Sequence, residues 1–141
     1  MRVILDTNIL LSALLSPVGA PAMLLASWER KTFTLVACDA LIAEFLGVAG
    51  RPFFKARVRA SAAGLLAAGL RDFSFYCPDL PVGPTAPDPK DSYLLALAEA
   101  GRADFLVTGD KGLLSLKRHG STRMIAPATM VGLLKDANRR K

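Results

Sequence analysis

Apolar and polar positions along this chain alternate between two rhythms. Short apolar runs of strand type recur at residues 2–6, 33–37, 73–77, 104–108 and 122–126. Such mostly apolar strands suit a parallel sheet covered on both faces. Between them, apolar residues return at helical spacing. Over 20–30 these are Met23, Leu24, Leu25 and Trp28; over 39–49 they are Leu41, Ile42, Phe45 and Leu46. Residues 53–70 are rich in Ala and Leu and read as one helix, weakened locally by Gly64 and Gly69. Helices over 89–101 and 127–138 complete the set. Strands alternating with helices predict an α/β fold, a three-layer α/β/α sandwich on a central, mainly parallel sheet of about five strands. No repeat or low-complexity linker divides the chain, and 141 residues fit a single domain, 1–141. The segment 78–90, with prolines at 78, 81, 84, 87 and 89, reads as a loop.

The polar residues that interrupt this pattern are acids at the ends of elements. The first apolar run stops at Asp6-Thr7-Asn8 and turns straight into Ile9-Leu10-Leu11. An acid there stands at the carboxyl edge of a parallel sheet, where open α/β sheets bind ligands. Capping is the competing reading, since Asp, Thr and Asn are all good N-caps. Glu44 lies among Leu41, Ile42, Phe45 and Leu46 on a helix for which Asp39 is the expected N-cap. An acid so flanked sits near the buried face, where an unpaired charge is costly; a charge at the stripe boundary is the ordinary alternative. In Asp88-Pro89-Lys90-Asp91, Asp88 is the expected cap, Pro89 the first helical residue and Asp91 the third. Asp91 then either complements the helix dipole or faces the sheet edge. Thr108-Gly109-Asp110 ends another strand in Thr and Asp, with capping by Asp110 again the alternative.

Composition narrows the chemistry. The chain is 52% hydrophobic and 21% charged, which marks a globular protein. No apolar run is long enough to cross a bilayer, and Asp6 breaks any signal-peptide core, so a cytoplasmic protein with no membrane partner is expected. Cys38 and Cys77 read as buried thiols in a reducing compartment. His119 is the only histidine and reads as a surface residue. That disfavours nucleophile–base catalysis and zinc. An all-oxygen acid set suits Mg²⁺ or Mn²⁺. No glycine-rich phosphate loop is present. The net charge of +6 favours a polyanionic partner, nucleic acid first. Lys55, Arg57, Arg59, Lys111, Lys117 and Arg118 are candidates to grip RNA, with a plain solvated surface as the alternative.

Four segments together resemble the PIN domain, a family of metal-dependent nucleases. They are Val-Ile-Leu-Asp-Thr-Asn ending at Asn8, Leu-Ile-Ala-Glu-Phe-Leu around Glu44, the Asp-Pro-Lys-Asp-Ser-Tyr-Leu-Leu-Ala-Leu-Ala helix start, and Val-Thr-Gly-Asp-Lys-Gly-Leu-Leu. Arg51-Pro52-Phe53 after the Glu44 helix, with Asp-Pro-x-Asp before the third acid, looks like the toxins of VapC-like toxin–antitoxin modules. The resemblance implies a Mg²⁺- or Mn²⁺-dependent endoribonuclease. Asp6, Glu44, Asp91 and Asp110 would form the catalytic, metal-holding quartet, with Asn8 and Thr108 supporting it by hydrogen bonds. It also implies an RNA substrate, a small antitoxin and a homodimer, for which Trp28, Phe53 and Phe54 offer apolar surface. The alternatives are a non-catalytic RNA-binding domain of the same shape and an Asp-dependent phosphatase. The latter would want a second Asp where this chain has Asn8.

Overall fold

The computed structural model describes residues 1–81, 83 and 85–139. Positions 82 and 84 of the expected proline-rich loop lie outside the described residues. The elements run β1 (Arg2–Leu5), α1 (Thr7–Leu15), α2 (Ala20–Glu29), β2 (Thr34–Cys38), α3 (Asp39–Ala49), α4 (Pro52–Lys55) and α5 (Ala60–Asp72). There follow β3 (Phe75–Cys77), a 3₁₀ turn (Pro89–Asp91), α6 (Ser92–Ala100), β4 (Phe105–Val107), α7 (Lys111–Leu116), β5 (Arg118–His119), β6 (Thr122–Ile125) and α8 (Pro127–Arg139). The sheet order is β3-β2-β1-β4-β6-β5. All pairs are parallel except the last, in which the two-residue β5 runs antiparallel to β6. The expected three-layer sandwich is present, and each of the five apolar runs is a parallel strand.

Burial follows position in the sheet. Val3, Ile4 and Leu5 of the central strand and Leu35 to Cys38 of its neighbour are all buried. Helix α6 is buried from Leu94 through Ala98 and packs against β2. It ends at Gly101, where an added Cβ would lie 2.4 Å from Val36 Cγ1. A glycine is what allows that close approach. The edges are more open: Phe75 and Arg123 are exposed.

Two expectations need correction. Residues 53–70 are not one helix. The chain breaks between α4 and α5, away from Gly64 and Gly69, and the break drops Val58 into the core at 7% exposure. Core burial therefore outweighs the helix-forming bias of the Ala-rich segment. Asp39 does not cap α3 either. Cys38 holds the N-cap position with no side-chain capping bond, and Asp39 accepts a hydrogen bond from the Tyr76 hydroxyl.

Candidate metal and nuclease centre

Chain order reverses beside β1: β2 and β3 extend the sheet to one side, β4 and β6 to the other. The crevice beyond the carboxyl ends of β1 and β4 is thus the topological switch point, the usual ligand site of an open α/β sheet. Asp6 follows β1 there and Thr108-Gly109-Asp110 follows β4. The Asp6 amide continues the ladder by donating to Val107 O at 3.0 Å. This fixes Asp6 at the sheet edge with 5% exposure.

Hydrogen bonds tie the two strand ends together. Asp6 Oδ1 accepts from the Thr7 amide at 2.7 Å, and Asp6 Oδ2 accepts from the Thr108 hydroxyl at 2.8 Å. Thr108 has no exposed surface, and its Oγ1 also accepts the Asp110 amide at 3.0 Å. Asp110 Oδ2 caps α7 by accepting the Leu113 amide at 2.8 Å. Here the capping alternative holds for one oxygen of Asp110. Gly112 leaves room for that carboxylate, because a Cβ there would lie 3.1 Å from Oδ2.

Glu44 arrives from α3. Its Oε2 accepts the Thr7 hydroxyl at 3.2 Å and the Tyr93 hydroxyl. Burial and the Glu44 carboxylate push the Tyr93 phenol well above its ordinary range, so it stays a neutral donor. Neither Thr7 nor Tyr93 is a residue that the pattern of acids singles out. Both are small signals in hindsight: Thr7 lies inside Asp-Thr-Asn, and Tyr93 is the polar-tipped residue opening an apolar run.

Asp91 arrives on the 3₁₀ turn. Asp88 Oδ1 accepts the Lys90 amide at 3.1 Å, as expected of a cap, and Ser92 Oγ accepts the Ala86 amide at 2.9 Å, tying the loop to α6. Asp91 occupies the N-cap position of α6, yet its side chain makes no capping bond. Burial, then the like charges of Asp6, Asp110, Asp88 and Glu44, push its carboxyl up to about 6. Burial also raises Asp6, against the hydrogen bonds from Thr108 and Thr7 that lower it. The four acids of the expected quartet, from four separate elements, thus share one electrostatic environment. Among the described residues no three Asp, Glu, His or Cys side chains close into a ready-made metal cage.

The other expected residues are more scattered. Asn8 is exposed at the start of α1, and among the described residues its side chain forms no hydrogen bond. Lys111 is exposed and opens α7 directly after Asp110. Arg118 pairs with Arg123, which is level with Phe105, so it lies toward the amino-terminal edge of the sheet, away from the acids. Lys117 immediately precedes it. Arg71 at the end of α5 lies 4.0 Å from Asp39 at the start of α3, so these helices run antiparallel. Lys55, Arg57 and Arg59 therefore lie at the end of α3 remote from Asp39. Arg57 stacks 4.0 Å above the exposed Phe53 ring. His119 pairs with Glu99 at 2.8 Å, outside the crevice.

Residues 2–112 match the family model of the PIN domain. The chain belongs to the PIN domain family. PIN domains are generally nucleases, associated with RNA and with divalent metals, and all four acids fall within the matched segment. No curated protein matches the chain. No single helix among the described residues is long and apolar enough to cross a membrane.

Proposed function

We propose that this PIN domain is a divalent-metal-dependent endoribonuclease, with residues 1–141 acting as one nuclease unit. One observation carries the reading: Glu44 and Asp91 converge with Asp6 and Asp110 on the switch-point crevice, and neither caps a helix. A set of acids kept as caps accounts for Asp110, and in part for Asp6. It leaves Glu44 and Asp91 without a capping role, which weighs against the non-catalytic alternative.

The donor set fits Mg²⁺ or Mn²⁺, because every candidate ligand is a hard carboxylate oxygen. Burial raises Asp91 most and the repulsion of the neighbouring acids adds to it; that repulsion is what a divalent cation would relieve. Such an ion, when bound, supplies an activated water and neutralises charge on the scissile phosphate. Asp6 and Asp91 are the assigned ligands. Glu44 and Asp110 complete the charge of the site and orient water. Thr108 holds Asp6 and Asp110 in register, Tyr93 and Thr7 aim Glu44, and Asn8 stands at the crevice rim. Lys111 offers a cation to the substrate backbone.

The finer reading is a toxin of VapC-like type in the cytoplasm, silenced by a small antitoxin and acting as a homodimer. Both cysteines are free and buried, as suits a reducing compartment. A cavity of about 690 Å³ between α1, α2 and α5 supports a protein partner. Leu25, Trp28 and Phe33 line it, and Leu65 and Phe73 stand exposed on it. Incubating structured and unstructured RNAs with the protein tests the activity. We expect internal cleavage with Mn²⁺ and none in excess chelator. Full-rate cleavage in chelator, or no cleavage of any RNA with Mn²⁺, would overturn the reading.

A further inference from the structure

At the amino-terminal edge of the sheet a second charged feature stands apart from the acids. Arg118 of β5 and Arg123 of β6 are direct cross-strand partners, and both are exposed. Like charges placed opposite each other in an antiparallel pair are destabilising. Among the described residues neither guanidinium lies within ion-pair distance of a carboxylate. Two acids of neighbouring segments are engaged elsewhere: Glu99 holds His119 at 2.8 Å, and Asp104 accepts the Arg2 amide at 2.8 Å. Alternation also separates them. His119 and its partner Thr122 face α6, which carries Glu99, so Arg118 and Arg123 face the other side of the sheet. On that side Phe105, in register with Arg123, is partly buried against the core, and the Arg123 guanidinium lies 5.8 Å from its ring centre.

We propose that Arg118, Arg123 and Phe105 form a second contact for the RNA backbone, in which the two guanidiniums share a phosphate. Guanidinium forks match phosphate oxygens in pairs, and an anion between them removes the repulsion that the strand pairing imposes. The part of the Phe105 ring left open gives a sugar or base edge a small apolar contact beside that phosphate. The acids lie on the order of 10 Å further along β4, three residues at ~3.3 Å each. One RNA molecule can therefore span both. This contact rests on the ribonuclease reading for its choice of polyanion, but it is separable from the cleavage site.

The test is binding of fluorescently labelled RNA of about 20 nucleotides in chelator, where no metal-dependent cleavage occurs, across a salt series. The Arg118→Gln/Arg123→Gln protein keeps the side-chain stems and loses both charges. We expect its affinity at low salt to fall about tenfold, and the slope of log Kd against log salt to shrink by about 0.7, the value for one phosphate of a single strand. Arg30→Gln/Arg51→Gln removes the same net charge elsewhere and should shrink the slope by less. Melting temperature should stay level or rise in the Arg118/Arg123 variant, since repulsion is removed; a fall would contradict the unrelieved pairing. A wild-type slope in that variant, an equal loss in the control, or no RNA binding by the wild type would each overturn the second contact. RNA bound with the expected slope change but never cleaved with Mn²⁺ would leave this contact standing and remove the nuclease reading instead.

Discussion

Thr108 shows how much of the site depends on one hydroxyl. Fully buried, it donates to Asp6 and accepts from the Asp110 amide. Thr108→Val keeps the shape and strands both partners, a loss of about 1–3 kcal/mol for buried polar groups left unpaired. We expect a lower melting temperature and weaker Mn²⁺ binding, both largely restored in Thr108→Ser. Gly112→Ala probes the neighbouring carboxylate. Its Cβ would crowd Asp110 Oδ2 at 3.1 Å, so metal affinity should fall while melting temperature moves little, as titration calorimetry and a thermal scan would read. At this scale the acids themselves were legible, because a charge that ends an apolar run needs a reason. The contacts of Glu44 were not. They join residues 37 and 49 positions apart, and no periodicity encodes which polar tips meet across a fold.

Elements were legible where burial is continuous. The five parallel strands are mostly apolar because both faces of the central sheet are covered, with Arg123 the clearest exception toward the flank. The strand β5 escaped the sequence reading, since two residues pair only because the turn before β6 allows it. The split between α4 and α5 was hidden for a related reason: Ala and Leu favour helix everywhere, and only the core at Val58 decides where the helix stops. Helix α6 gives the sharpest test of packing. Gly101→Ala would drive a methyl into Val36 at 2.4 Å, and overpacking of this kind costs about 1–3 kcal/mol. We expect a clear fall in the denaturant midpoint. An unchanged midpoint would mean that β2 and α6 are not packed this closely.

Across the whole molecule, charge is divided. A chain of net charge +6 gathers four acids at the carboxyl edge of its sheet, and of the basic residues expected to surround them only Lys111 adjoins an acid of the set in sequence, while Lys55, Arg57, Arg59, Lys117 and Arg118 lie elsewhere. That distribution was not legible, because sequence order does not say which edge a loop reaches. The acid cluster has a pH signature. Asp91 lies at about 6 in the folded protein against 3.8 as an ordinary carboxyl, so the folded state holds its proton longer than the unfolded one. Its favourable contribution is full below pH 4 and is lost as pH rises through 6. In the absence of metal, Asp91→Asn should therefore gain stability relative to wild type between pH 4 and 7, measured by melting temperature at each pH. With saturating Mn²⁺ that advantage should disappear, because the cation replaces the proton at the wild-type carboxylate.

The central claim is that the acids at the switch point hold a metal that cleaves RNA, and Asp6→Asn tests it most directly. Asn is about as good a helix cap as Asp, so a capping role survives the change. A charged oxygen ligand does not. The measurement is the Mn²⁺-dependent rate of RNA cleavage by wild type and Asp6→Asn, with both confirmed folded by melting temperature. The expected result is a folded variant of near wild-type melting temperature with no detectable cleavage. A folded Asp6→Asn protein that cleaves RNA at the wild-type rate would contradict the metal site.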